Sequence, residues 1–160
     1  MTGRLREDDR AVSIAVTHVL TIAVTTLIIG GLMLGAGFLL ETEKERSAED
    51  SLETIGERLS AQLSSADRAA ADDGEITIRA DHPQTVAGSG YTVDLVDGDG
   101  CGDQPLLQDD QQCLILSYHG GDVEVGVPVK VDEISESSTQ GGTIEIHRDE
   151  GGVRIGGESA

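Results

Sequence analysis

The side chains able to do chemistry are few and scattered. Four histidines, His18, His82, His119 and His147, stand far apart, and none lies at a zinc-ligand spacing from a cysteine or carboxylate. In "DGDGCGDQPLLQDD", Asp97, Asp99 and Gly102 fall on three positions of a calcium-binding loop. Cys101 occupies a ligand position there, and Gln108 stands where a bidentate Glu is required, so an acidic solvated turn is the expected state. A nonstandard cation site built from Asp97, Asp99 and Asp103 is the alternative. Gly88-Ser89-Gly90 lacks the spacing of a nucleophile elbow, and no glycine-rich phosphate loop with a Lys follows a strand. We therefore expect no catalytic residues, no metal and no cofactor; the chain reads as a non-enzyme.

Cys101 and Cys113 lie twelve residues apart. In an exported protein the two would pair, and closing so short a loop contributes roughly 3 kcal/mol on the loop-entropy model. Two free thiols are the alternative. The chain contains no Asn, which excludes N-linked glycosylation and leaves Ser/Thr positions such as Ser137, Ser138 and Thr139 for any surface sugar.

The distribution of charge sets the next constraint. Thirty acidic against eleven basic side chains give a net charge of −19. A surface of that sign repels phosphate backbones, so nucleic acid is not an expected partner. With Lys44 and Lys130 the only lysines, the composition suits concentrated salt, where screening relieves self-repulsion. At 160 residues with no Trp, the chain accommodates one modest domain plus an appendage.

That appendage is the uncharged run Val12–Leu40, 29 residues long. As a helix it reaches roughly 43 Å, more than the roughly 30 Å of a bilayer's hydrocarbon core. It exceeds the 7–15 residues typical of a cleaved secretory signal. Arg4, Arg6 and Arg10 precede it, which favours a cytoplasmic N-terminus and an outer C-terminal part. Ser13, Thr17, Thr21 and Thr25 recur every four residues and draw a hydroxyl stripe along one face; Gly31 and Gly35 form a small-xxx-small pair. Such a face suits close helix–helix packing. Alternatively, each hydroxyl bonds its own backbone one turn back.

Beyond Leu40, the segment 41–73 keeps Ala48, Leu52, Ile55, Leu59 and Leu63 at helical spacing amid charged residues. The membrane helix is expected to continue, or to restart after a kink near Gly35 and Gly37, and to end at Asp72-Asp73-Gly74. Its apolar stripe covers the β-domain of its own chain or a neighbour's stalk, unless it forms a free-standing coiled coil.

After Gly74 the period changes to two. "EITIR", "YTVDLV", "CLILSYH", "VEVGVPVKV", "TIEIH" and "VRI" predict about six mostly antiparallel strands. Tight turns are expected at His119–Asp122 and Asp149–Gly152, and Pro128 at an edge or bulge. A disordered acidic tail, the alternative to a folded acidic surface, fits residues around 132–142 and the extreme C-terminus better than it fits the Val/Ile-rich stretches. The fold class is α+β: a long hydrophobic helix continuing into an amphipathic stalk, then a small sheet or sandwich over 74–160.

Asp9, Arg10, Ala11, Val12 and Ser13, followed by the long hydrophobic segment, resemble the class III signal of archaeal type IV pilins, especially haloarchaeal ones. The resemblance covers about the first forty residues. It implies a leader of residues 1–11, cut by a membrane-embedded aspartyl prepilin peptidase between Ala11 and Val12. Arg10, Ala11, Val12 and Ser13 would form the processing site, and 12–40 would be retained as anchor and filament core. Bacterial pilins carry Glu at the fifth mature position, here Val16; archaeal pilins generally do without it. The implied partners are membrane lipid, the prepilin peptidase and other pilin or pilin-like subunits. The implied location is the cytoplasmic membrane, single-pass with the C-terminal domain outside, or a surface filament.

The leading expectation is thus a structural pilin-like subunit. The alternative is a permanent single-span protein whose outer β-domain binds a partner or ligand without forming filaments. A secreted hydrolase is disfavoured by the length of the apolar run.

Overall fold

The computed structural model describes residues 4–101, 107 and 111–157, of which 4–13, 38, 71–73 and 99 are described by backbone alone. The chain is α+β: helix α1 (Arg4–Asp73), seven strands and one short 3₁₀ turn at Gly98–Cys101. It divides into two compact units, residues 1–42 and 43–160.

The first unit is helical throughout its described length. No break occurs at Gly35 or Gly37, because the helix runs uninterrupted through both. Among the described residues the large apolar side chains from Ile14 to Leu40 are all exposed, from 48% at Val24 to 75% at Leu27 and Met33. By length and composition this helix is able to cross a membrane.

In the second unit the same helix is amphipathic and covered. Ala48, Leu52, Ile55, Leu59, Leu63, Ala66 and Ala70 are buried at spacings of three and four, so one stripe meets the sheets of its own chain. Each of the fully buried Leu52, Leu59 and Leu63 contributes about 1.5–3 kcal/mol. The helix ends where Gly74 turns left-handed at φ 84°, its N–H donating to the Ala70 carbonyl at 2.9 Å. A residue bearing Cβ would be strained there.

Strands β1 (Ile76–Asp81), β6 (Thr143–Asp149) and β7 (Gly152–Gly157) form one antiparallel sheet in the order β1-β6-β7. Strands β2 (Tyr91–Val96), β3 (Gln112–Tyr118), β4 (Glu124–Val129) and β5 (Ser137–Gln140) form a second, in the order β4-β3-β2-β5. The alternation expected of half-buried strands is clear in β2, where Tyr91, Val93 and Leu95 point inward. On β3, Leu114, Leu116 and Tyr118 join the main core. Cys113 and Ile115 face the other way and form a small second cluster with Cys101, Val96 and Leu107.

Two expectations are corrected. Among the described residues the strands number seven, because Ser137–Gln140 forms β5, paired with β2 from Thr92↔Gln140 to Leu95↔Ser137. Residues 132–142 are therefore part of the fold and not an acidic tail. Their burial is modest and their composition polar, so neither period nor hydropathy marks them. What holds them is tertiary: the Ser135 N–H donates to the Val153 carbonyl (2.9 Å) and the Val153 N–H to the Glu133 carbonyl (2.8 Å). The Ile155 N–H also donates to Ser137 Oγ (3.0 Å), which ties the two sheets together.

Pro128 lies on edge strand β4, where its missing N–H removes no ladder bond. The helix runs beside that edge: Ser60 Oγ donates to the Pro128 carbonyl (2.8 Å) and Ser64 Oγ to the Lys130 carbonyl (3.0 Å). Asp67 continues the seam, accepting from the Asp132 N–H (3.2 Å) and pairing with Arg148 Nε (3.0 Å). Gly56 permits the approach, since a Cβ there would lie 2.6 Å from Val127 Cγ2.

Candidate functional site

Among the described residues three places gather groups of chemical interest. On the apolar helix, Thr21 Oγ1 donates to the Thr17 carbonyl, Thr25 Oγ1 to the Thr21 carbonyl and Thr26 Oγ1 to the Ile22 carbonyl, each at 2.8 Å. Their protons are thus used one turn back, and what they offer a neighbour is oxygen lone pairs. At Gly31 and Gly35 an added Cβ would meet nothing within 4 Å, so the notch they form is open. The backbone of Arg10, Ala11, Val12 and Ser13 is helical. Their side chains lie outside those described, so the packing role expected of Ser13 does too.

The second place is a cleft of about 760 Å³ between the α1 face from Glu43 to Arg58 and the segment Asp81–Ala87. Its loop wall is built by two tyrosines. Tyr91 donates from its hydroxyl to the Pro83 carbonyl (2.8 Å), and Tyr118 donates to the Ala87 carbonyl (3.2 Å). Burial raises the Tyr91 hydroxyl above its ordinary pKa, against a backbone hydrogen bond at Gly142 that lowers it. At the tip, Val86 and Ser89 exchange backbone hydrogen bonds across Ala87 and Gly88, both left-handed at φ 46° and 88°. That is the geometry of a two-residue turn of the I′ kind.

The helix wall carries Arg46, Ser51, Thr54 and Arg58. Ser51 and Thr54 bond back to the Ser47 and Asp50 carbonyls, and Arg46 pairs with Glu43 at 3.5 Å. Arg58 makes no ion pair among the described residues. His82 Nε2 is buried there without a hydrogen-bond partner. Burial, and next the Arg58 charge, lower the His82 pKa, while Asp81 raises it.

The third place lies on the outward face of β1 and β6. Thr77 Oγ1 and His147 Nδ1 are 3.0 Å apart, His147 Nε2 lies 3.6 Å from Glu145, and Arg79 pairs with Glu145 at 2.8 Å. A hydroxyl, an imidazole and a carboxylate in line resemble a nucleophile relay. The register explains them more simply, because Thr77↔His147 and Arg79↔Glu145 are direct cross-strand partners. The hydrogen bond from Arg79 holds the Glu145 carboxyl below its ordinary range, and the relay ends in that ion pair. Its role is to knit β1 to β6.

Cys101 and Cys113 form a disulfide, Cα to Cα 6.0 Å, and both are fully buried. Asp97 uses its backbone carbonyl to accept from the Gly100 N–H at 3.4 Å. The Asp99 side chain, Asp103 and Gln108 lie outside those described. Among the described residues, no group of three or more His, Cys, Asp or Glu is placed to hold a metal. Of the proposed sugar positions, Ser138 is exposed, Thr139 is buried, and Ser137 Oγ is occupied by the Ile155 N–H and the Ser135 carbonyl.

Sequence reasoning missed the cleft and the β1–β6 relay. Both depend on which residues the sheet register and the 81–87 turn bring together. The one local signal was the pair Ala87-Gly88 between extended stretches.

A protein-family model described as "Family of unknown function (DUF7266)" matches residues 7–156. No curated protein and no solved structure matches the chain.

Proposed function

The chain belongs to DUF7266, a family whose description assigns no activity, and from the features above we propose that it is a structural, pilin-like subunit. In this reading a leader of residues 1–11 is removed before Val12. The apolar helix 12–40 holds the subunit in the cytoplasmic membrane, and copies or relatives then pack side by side through that helix into a surface filament. The acidic β-domain faces outward. The observation that carries it is the contrast along α1: among the described residues every large apolar side chain from Ile14 to Leu40 is uncovered, whereas the stripe from Ala48 to Ala70 is covered by its own sheets. An uncovered apolar rod in water is untenable, so lipid or other helices must surround it.

The N-terminus of the exported protein, read by mass spectrometry, tests the reading. A mature chain starting at Val12 and recovered in sheared surface filaments is expected. An exported chain still carrying Met1–Ala11 would sink it.

A second reading keeps the helix in the bilayer permanently as the anchor of a ligand-binding domain. The threonine hydroxyls favour it, because donors already satisfied within the helix need no partner helix. Recovery from membranes alone, with no filaments in the sheared fraction, is its signature.

A further inference from the structure

The helix segment Glu43–Arg58 carries two electrostatic features that the chain leaves unresolved. Glu49, Glu53 and Glu57 follow one another at four-residue spacing, and all three are exposed. Like charges at i, i+4 repel, at a cost of about 0.2–0.5 kcal/mol per pair. Among the described residues none of the three has an ion-pair partner. The second feature is Arg58. The positions one turn away, 54, 55, 61 and 62, hold Thr, Ile, Ala and Gln, so the helix supplies it no carboxylate. Of the two guanidiniums that line the cleft, Arg46 pairs with Glu43 and Arg58 has no ion pair among the described residues.

The two features lie on different flanks. At about 100° per residue, Arg58 stands roughly 140° around the helix from Glu53. Within one chain they cannot meet. Between chains they can, and because the surfaces differ, the contact is head-to-tail and leaves each copy with one free half. An open series of copies results.

Resting on the reading of the chain as an assembling subunit, we propose that the cleft around Arg58 receives the Glu49–Glu53–Glu57 row of a second copy of this chain. A guanidinium grips carboxylates in bidentate geometry; the Ser51 and Thr54 hydroxyls on the same wall give their protons to the Ser47 and Asp50 carbonyls, so the grip falls to Arg58. Three acidic groups also line the cleft, and Glu43 among them is held by Arg46 at 3.5 Å. Asp81 accepts from Thr143 Oγ1 at 3.1 Å, which directs its carboxylate toward β6. Asp50 stands two turns before Arg58 and repels the row, so the contact falls at the Arg58 end.

Full-length chains carrying Arg58→Lys, half of them ¹⁵N-labelled, are mixed, reconstituted into vesicles and treated with a zero-length carbodiimide. The substitution keeps the charge at an exposed position and makes it reactive toward carboxylates. The expected product is an isotopically mixed peptide joining Lys at 58 to Glu49, Glu53 or Glu57. In a parallel sample, Arg58→Glu should weaken self-association about tenfold, and chains carrying Glu53→Arg and Glu57→Arg should restore binding to it. If mixed peptides form through Lys44 or Lys130 but not through position 58, copies associate by another surface and this contact is wrong. If no mixed peptide forms at all, the contact and the assembly reading fall together.

Discussion

At the scale of single residues, His82 stands out because its Nε2 is buried with no partner. Burial and the neighbouring Arg58 lower its pKa from an ordinary 6.5, so the folded chain holds this proton less tightly than the unfolded chain. The stability conferred by keeping it neutral is fully present above about pH 6.5 and is lost as pH falls through the unfolded value toward the folded one. Urea unfolding at pH 7.5 and pH 5.5 should show the native protein weakening at the lower pH. His82→Gln should flatten that difference, and an identical pH dependence in the variant would show that His82 is not its source.

At the scale of elements, the approach of α1 to β4 is fixed at Gly56. Alanine there would gain about 1 kcal/mol of helix propensity. Its Cβ would sit 2.6 Å from Val127 Cγ2 and 3.0 Å from Leu116 Cδ1, and Val127 is a buried β-branched side chain with little freedom to yield. Overpacking of this kind costs about 1–3 kcal/mol, so a net loss on the order of 1 kcal/mol is expected for Gly56→Ala in chemical denaturation; a gain would refute the close approach. The helix itself was legible from the spacing of Ala48, Leu52, Ile55, Leu59 and Leu63, as were six strands from their alternation. The missing strand, Ser137–Gln140, was not, because its residues owe their conformation to β2 and β7 and not to their own hydropathy. The cleft was illegible for a related reason: Arg58 and His82 are brought together by a turn whose only local mark is Ala87-Gly88.

At the scale of the whole molecule, charge dominates. A net −19 on 160 residues opposes compaction, and added salt shortens the screening length from about 10 Å at 0.1 M to about 3 Å at 1 M. The thermal midpoint of the full chain should therefore rise between 0.1 M and 2 M KCl. Relief of about 1 kcal/mol corresponds to a shift on the order of 5 °C. Circular dichroism melting measures it, and a midpoint unmoved or lowered by salt would contradict the electrostatic account.

One arrangement also equips the protein to report on itself. The chain has two tyrosines and no tryptophan, and both phenols are fastened to the same short wall, at Pro83 and Ala87. Ultraviolet emission from the native chain is therefore a built-in gauge of that wall. Anything that seats against it or pries it loose should alter the fluorescence without a dye or an engineered probe.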